Sequence, residues 1–166
     1  THATILNAGG SLLPEQDESA ALIAEETLSM DHCFLSGSGG LGIHLPGDAH
    51  IQFFDNFKDN IIEGNSGAAV RIRMDDVNKV VNGNTIRSGS ETAAAVEVHM
   101  GVDDPLGTWI NLDAEIDYMI LEQVKIKATK NLIVEAGSTI QLLAGTFIEV
   151  SGGLQVNGQA DTPVTF

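Results

Sequence analysis

Apolar and polar positions alternate in short runs along much of this chain. In the last third the apolar pairs are Val124/Ile126, Leu132/Val134, Ile140/Leu142, Ile148/Val150, Leu154/Val156 and Val164/Phe166. Between them lie Lys125, Ile133, Gln141, Glu149, Gln155 and Thr165. A period of two predicts strands that bury one face. Skipping three pairs at a time exposes a longer period. Val124 to Ile148 is 24 residues, Leu132 to Leu154 is 22, and Ile140 to Val164 is 24. Three short strands per turn predict a three-sided solenoid, with coils stacked about 4.8 Å apart as neighbouring strands are. On this pattern Ile140, Leu142, Ile148, Val150, Leu154 and Val156 point inward, and Gln141, Glu149 and Gln155 point out.

The middle of the chain keeps the period more loosely. "GLGIHL", "AAVRIRM" and "AAVEVHM" place Ile43, Val70 and Val96 at intervals of 27 and 26. Cys33, Asn60 and Asn84 recur at 27 and 24. Inward Asn side chains at a coil corner can satisfy the backbone groups of the coils above and below. Asn60 and Asn84 are expected to form such a ladder, with Cys33 as the small buried residue that continues it. The one helix-like segment is "PEQDESAALIAEETL" near the N-terminus, read as a helix or a lateral excursion from the coil. The reading is one all-β domain over 1–166, with Asn- and Gly-rich coils over 1–108 and more regular coils over 109–166. At this period 166 residues make about six or seven coils.

The run "NLIVEAGSTIQLLAGTFIEVSGGLQVNGQADTPVTF", led in by Trp109 and Tyr118, resembles a segment of right-handed parallel β-helix repeats in bacterial and archaeal surface proteins. The upstream "FFDNFKDNIIEGNSGAAVRI" is similar to the Asn-rich coils of that family. The resemblance implies a right-handed three-sided parallel β-helix in an extracellular or cell-surface setting. It specifies fold far more than function, because this fold hosts lyases, adhesins and passive stalks. In the family the "PVTF" run continues into another coil, so the chain is expected to be one stretch of a longer or stacked solenoid. It opens on Thr1 rather than Met, the expectation being a processed or excised chain.

Charge narrows the partners. Eight Lys and Arg stand against 23 Asp and Glu, for a formal charge of −15. Such an excess repels nucleic acid and anionic membranes. No apolar run reaches the roughly 20 residues of a membrane-spanning helix. A single cysteine excludes a disulfide within the chain.

Three groups of residues bear on chemistry. Stacking the middle strands puts His44, Arg71 and Glu97 in one outward row, with Arg73 and His99 beside them. Polysaccharide lyases of this fold carry an Arg or Lys base and carboxylate-bound calcium on an outer sheet face, so the resemblance offers this row as a sugar-acid site. The plainer reading is a solvated ladder with an Arg71–Glu97 pair worth roughly 0.2–1 kcal/mol. "DAEID" places Asp113, Glu115 and Asp117 at strand spacing with Ala114 and Ile116 inward. This is a candidate Ca2+ ligand set, or simply an acidic outer face. Asp75-Asp76 and Asp103-Asp104 read as turn residues. The third group is the assembly edge: Ala3 and Ile5 at one end, Val164, Thr165 and Phe166 at the other, with Val164 and Phe166 above Ile140 and Leu142. A solenoid end exposes unpaired strand edges over an open core and must be capped or paired. The sequence therefore points to a non-enzymatic structural subunit that stacks on copies of itself or on adjacent units. A carbohydrate-binding or lyase-like module and a calcium-dependent adhesin are the two alternatives.

Overall fold

A computed structural model describes residues 3–7, 19–51, 56–99 and 107–166. Among these residues all strand pairs are parallel. Parallel neighbours need a long connection between them, and here each connection is the rest of a coil. The principal sheet has six strands, in hydrogen-bonded order Ala20–Ile23, Leu41–His44, Val70–Arg73, Val96–His99, Tyr118–Ile120 and Ile140–Leu142. The next side carries Thr4–Leu6, Phe34–Ser36, Ile61–Glu63 and Thr85–Ile86 in one ladder, and Gly107–Trp109, Asn131–Val134 and Gly153–Val156 in another. Short pairs form the third side, among them Val124–Ile126 with Ile148–Val150. The result is a β-solenoid of about five turns. That is fewer than the six or seven expected, because several lower coils exceed 24 residues: Thr4 pairs with Phe34, and Phe34 with Ile61.

The registers read from the alternation hold where the pattern was strictest. Ile43 pairs with Val70 and Val70 with Val96. Val124 pairs with Ile148, and Leu132 with Leu154. Inward residues of successive coils therefore stack on one another, and Ile43, Val70, Ile72, Val96, Val98, Ile120, Val124, Ile126 and Val134 have no solvent exposure. Trp109 closes part of this core by stacking on Tyr118, with ring centroids 4.7 Å apart at 27°. The Tyr118 hydroxyl donates to the Ile110 carbonyl at 2.6 Å, which satisfies the one polar atom of a buried ring. Burial pushes that hydroxyl's pKa well above the usual tyrosine value, with the nearby Asp117 and Glu135 charges adding to the effect.

The corner ladder also forms. Asn60 Oδ1 accepts the Cys33 N–H at 2.9 Å, and Asn84 Oδ1 accepts the Asn60 N–H at 2.9 Å. The amide nitrogens reach the other way: Asn60 Nδ2 donates to the Met30 carbonyl at 3.0 Å and Asn84 Nδ2 to the Phe57 carbonyl at 2.9 Å. Each amide thus bridges a donor and an acceptor that the turning backbone leaves without a strand partner. Just before each ladder residue the chain turns through the left-handed region, at His32 (φ 53°), Asp59 (φ 55°) and Gly83 (φ 75°). Cys33 is half-buried rather than buried, and its Sγ lies 3.3 Å from the Asp31 carbonyl.

Two expectations about helices change. Pro14 to Glu18 lie outside the described residues. Ala20–Ile23, expected as helix, is a strand paired with Leu41–His44. Pairing with a neighbouring coil overrides the helix preference of "AALIAEE". Conversely, Val77–Val81 is a short helix the sequence did not announce. Three valines give it poor intrinsic propensity and five residues cannot nucleate a helix alone. Val77, Val80 and Val81 are fully buried, so packing at i, i+3 and i+4 holds it. Asn78 Oδ1 then accepts the Thr108 N–H at 3.1 Å and ties the helix to Gly107–Trp109.

Candidate functional site

The outward row on the principal sheet is assembled as the spacing required. Arg71 pairs in register with His44 on one side and Glu97 on the other, and Arg73 lies opposite His99. The row continues upward into Met119 and Gln141. Arg71 Nε donates to Glu97 Oε2 at 2.5 Å, with both side chains less than a fifth exposed. Arg73 bonds Asp48 at 2.8 Å and Asp75 at 3.1 Å. His99 Nε2 lies 2.8 Å from the Leu45 carbonyl, two coils below. A carbonyl only accepts, so His99 carries its proton on Nε2. The His44 ring meets His99 edge-on at 6.4 Å. Burial, and then the His99 charge, lower the His44 pKa. The row is a belt whose two guanidinium groups are each already engaged by carboxylates, and it binds three coils to one another.

The acidic triplet does not converge. Residues 112–117 form an irregular bend rather than a strand. Asp113 takes a positive φ of 55°, and with Glu115 it faces solvent. Asp117 is fully buried. Its Oδ1 accepts the N–H groups of Leu112 (3.0 Å) and Ala114 (3.3 Å), and its Oδ2 accepts that of Thr139 (2.8 Å). Asp117 is therefore a staple for the bend and for the coil above it, its carboxylate already engaged by three backbone N–H groups. Burial raises its pKa, against the opposing pull of those three N–H donors. Asp113 and Glu115 instead line an open polar cleft of about 370 Å³ with Arg87, Ser88, Ser90 and Glu91. Asp75 and Asp76 sit in a buried 3-10 turn, where Asp76 holds Lys79 at 2.9 Å and accepts the Ile51 N–H at 3.0 Å. Asp103 and Asp104 lie outside the described residues.

One cluster escaped the sequence reading. Asp31, His32 and Asp59 bring three donor atoms within 4.8 Å of one another. The signal was present: the Cys33/Asn60 ladder stacks residues 27 apart, so one position earlier it stacks His32 on Asp59.

The two ends of the solenoid differ from the middle. At the lower end Thr4–Leu6 and Ala20–Ile23 are the edge strands of their sheets among the described residues, Ala3 is exposed and Ile5 packs against the core. At the upper end the inward-facing side chains of the last coil are uncovered. Val150 is 44% exposed and Val156 43%, whereas Ile126 and Val134 directly beneath them are at 0%. The final run is shifted from its expected register. Thr165 bridges Thr139, so Phe166 and not Val164 lies opposite Ile140. Gln159 and Thr162 exchange backbone hydrogen bonds at 3.1 and 3.2 Å, and the turn they close absorbs the two extra residues. Val164 still packs on the core, and Phe166 is 57% exposed. Phe166, Thr165, Ile140 and Leu142 line an open groove with Ile116 along this rim.

Among the described residues no helix is long and apolar enough to cross a membrane. No family model matches the chain, and no curated protein and no solved structure matches it either.

Proposed function

We propose that this chain is an extracellular structural module, a length of β-solenoid that joins end to end with copies of itself into a stalk or filament. The observation that carries the reading is the uncovered upper coil. Its inward row keeps the register of the coil below and lacks only a layer above it. Every strand pair among the described residues is parallel, so the upper edge of one copy and the lower edge of another can pair in the same sense. Such a contact is heterologous and does not close, which yields a fibre rather than a dimer.

The energetics allow this without making it strong. Covering Val150, Leu154, Val156 and Phe166, each 37–57% exposed, recovers on the order of 1 kcal/mol per side chain. New ladder hydrogen bonds add to that, against an association cost of roughly 4–15 kcal/mol. Assembly is therefore expected to depend on concentration.

Sedimentation velocity and negative-stain microscopy over a range of protein concentrations test the proposal. Linear assemblies that disappear in Leu154→Lys and in a chain lacking residues 162–166 are expected. A monomer at high concentration, or unchanged fibres from the shortened chain, overturns it.

A further inference from the structure

We propose that His32 and Asp59, oriented by Asp31, form a surface site for a divalent transition-metal ion of the zinc class. The three residues sit at one corner of the solenoid on two successive coils. Their backbone is held on both sides. Asp31 pairs in register with Lys58, the His32 N–H donates to the Lys58 carbonyl at 3.1 Å, and the Asp59 N–H donates to the Gly83 carbonyl at 2.7 Å. The site is thus built on a fixed ladder, which positions ligands better than a loose loop does.

The imidazole lies between two carboxylates. His32 Nδ1 is 2.9 Å from Asp31 Oδ1, and Nε2 is 3.6 Å from Asp59 Oδ2. A neutral imidazole carries one N–H. Placing it on Nδ1 sets that N–H beside the Asp31 carboxylate, whose Oδ1 is buried and has no hydrogen-bond partner, and leaves the Nε2 lone pair on the side of Asp59. Nε2 and Asp59 Oδ2 are both metal-ligating atoms, 3.6 Å apart. A cation bound by both is drawn to the imidazole lone pair and to the carboxylate charge together. The spacing suits zinc: with both atoms at about 2.0–2.1 Å from the metal, a 3.6 Å separation subtends about 120°, near the tetrahedral angle. The Asp31 charge beside Nδ1 then favours this tautomer electrostatically.

Chemistry also selects the class of ion. Imidazole nitrogen favours zinc and its neighbours, while calcium seeks six to eight oxygens that this corner does not supply. The three side chains are about half exposed, so water completes the coordination. The −15 charge of the chain raises the local concentration of any cation.

Isothermal titration of the full chain with zinc chloride in a non-chelating buffer near neutral pH tests the site, with visible absorption of Co2+ as a second readout. Saturable one-site binding is expected in the wild type, with tetrahedral cobalt bands. His32→Asn keeps a residue that tolerates the left-handed backbone, and should weaken zinc binding by at least the roughly 10–100-fold of an outer-shell change, because it removes a ligand outright. Asp59→Asn should do the same, which covers the case in which His32→Asn unfolds. Asp31→Asn should weaken binding within that 10–100-fold range, and Asp113→Asn should leave it unchanged. Absence of saturable zinc binding in the wild type overturns the proposal. So does an unaltered isotherm in both His32→Asn and Asp59→Asn, or calcium occupying the same residues with equal affinity.

Discussion

Leu154 lies directly above Leu132 in the parallel ladder, yet Leu154 is 37% exposed and Leu132 only 1%. The same residue type at the same position of consecutive coils differs only in having a layer on top. This predicts unequal responses to truncation. Leu132→Ala should cost about 2–5 kcal/mol, as a fully buried leucine does. Leu154→Ala should cost less than half as much in the isolated chain. Chemical denaturation of both variants checks the order, and equal losses would mean that the upper coil is covered in solution.

The Asn60 amide, 1% exposed, bonds the Cys33 N–H and the Met30 carbonyl. Asn60→Ala should destabilise by about 1–3 kcal/mol for each backbone group it leaves buried without a partner. Asn60→Asp should be no better, because an oxygen would then face the Met30 carbonyl. Thermal melting of the two variants reads this directly. A wild-type melting temperature for Asn60→Ala would show that the ladder contributes nothing.

Asp117 receives three backbone N–H groups, and an amide cannot accept all of them without turning an NH2 toward a donor. Asp117→Asn is therefore expected to lose about 1–3 kcal/mol. Because Thr139 belongs to the coil above, hydrogen exchange near Thr139 should accelerate along with exchange at Leu112 and Ala114. Acceleration confined to the bend would reduce Asp117 to a local role.

His44 gives a pH dependence with a definite sign. Burial and the nearby His99 lower its pKa from 6.5, so the unfolded chain takes up a proton at a higher pH than the folded chain does. Its contribution to stability is fully present above pH 6.5 and is lost as the pH falls through the lowered folded value. His44→Gln should flatten the stability profile on the acid side of pH 6.5 and leave the alkaline side parallel to wild type. Denaturation midpoints across that range measure it, and identical acid limbs would show that His44 is not the titrating group.

Much of the architecture was legible because a solenoid repeats one decision. Strict alternation at Val124/Ile126, Leu132/Val134 and Ile148/Val150 determined which side chains face inward, and a period of 22–24 residues determined what stacks on what. The Cys33/Asn60/Asn84 ladder was readable for the same reason, and so was the row of His44, Arg71 and Glu97. What the chain alone did not decide were places where a neighbouring coil overrules local preference. Ala20–Ile23 is a strand because Leu41–His44 offers it an edge. Val77–Val81 is a helix because its valines are buried there. Asp117 turns inward because three N–H groups await it, and the last strand slips by two residues because the Gln159–Thr162 turn takes them up. Each of these outcomes depends on a partner some twenty residues or more away, or on a turn closed by its own hydrogen bonds. Periodicity carries neither kind of information, so only the tertiary structure could settle them.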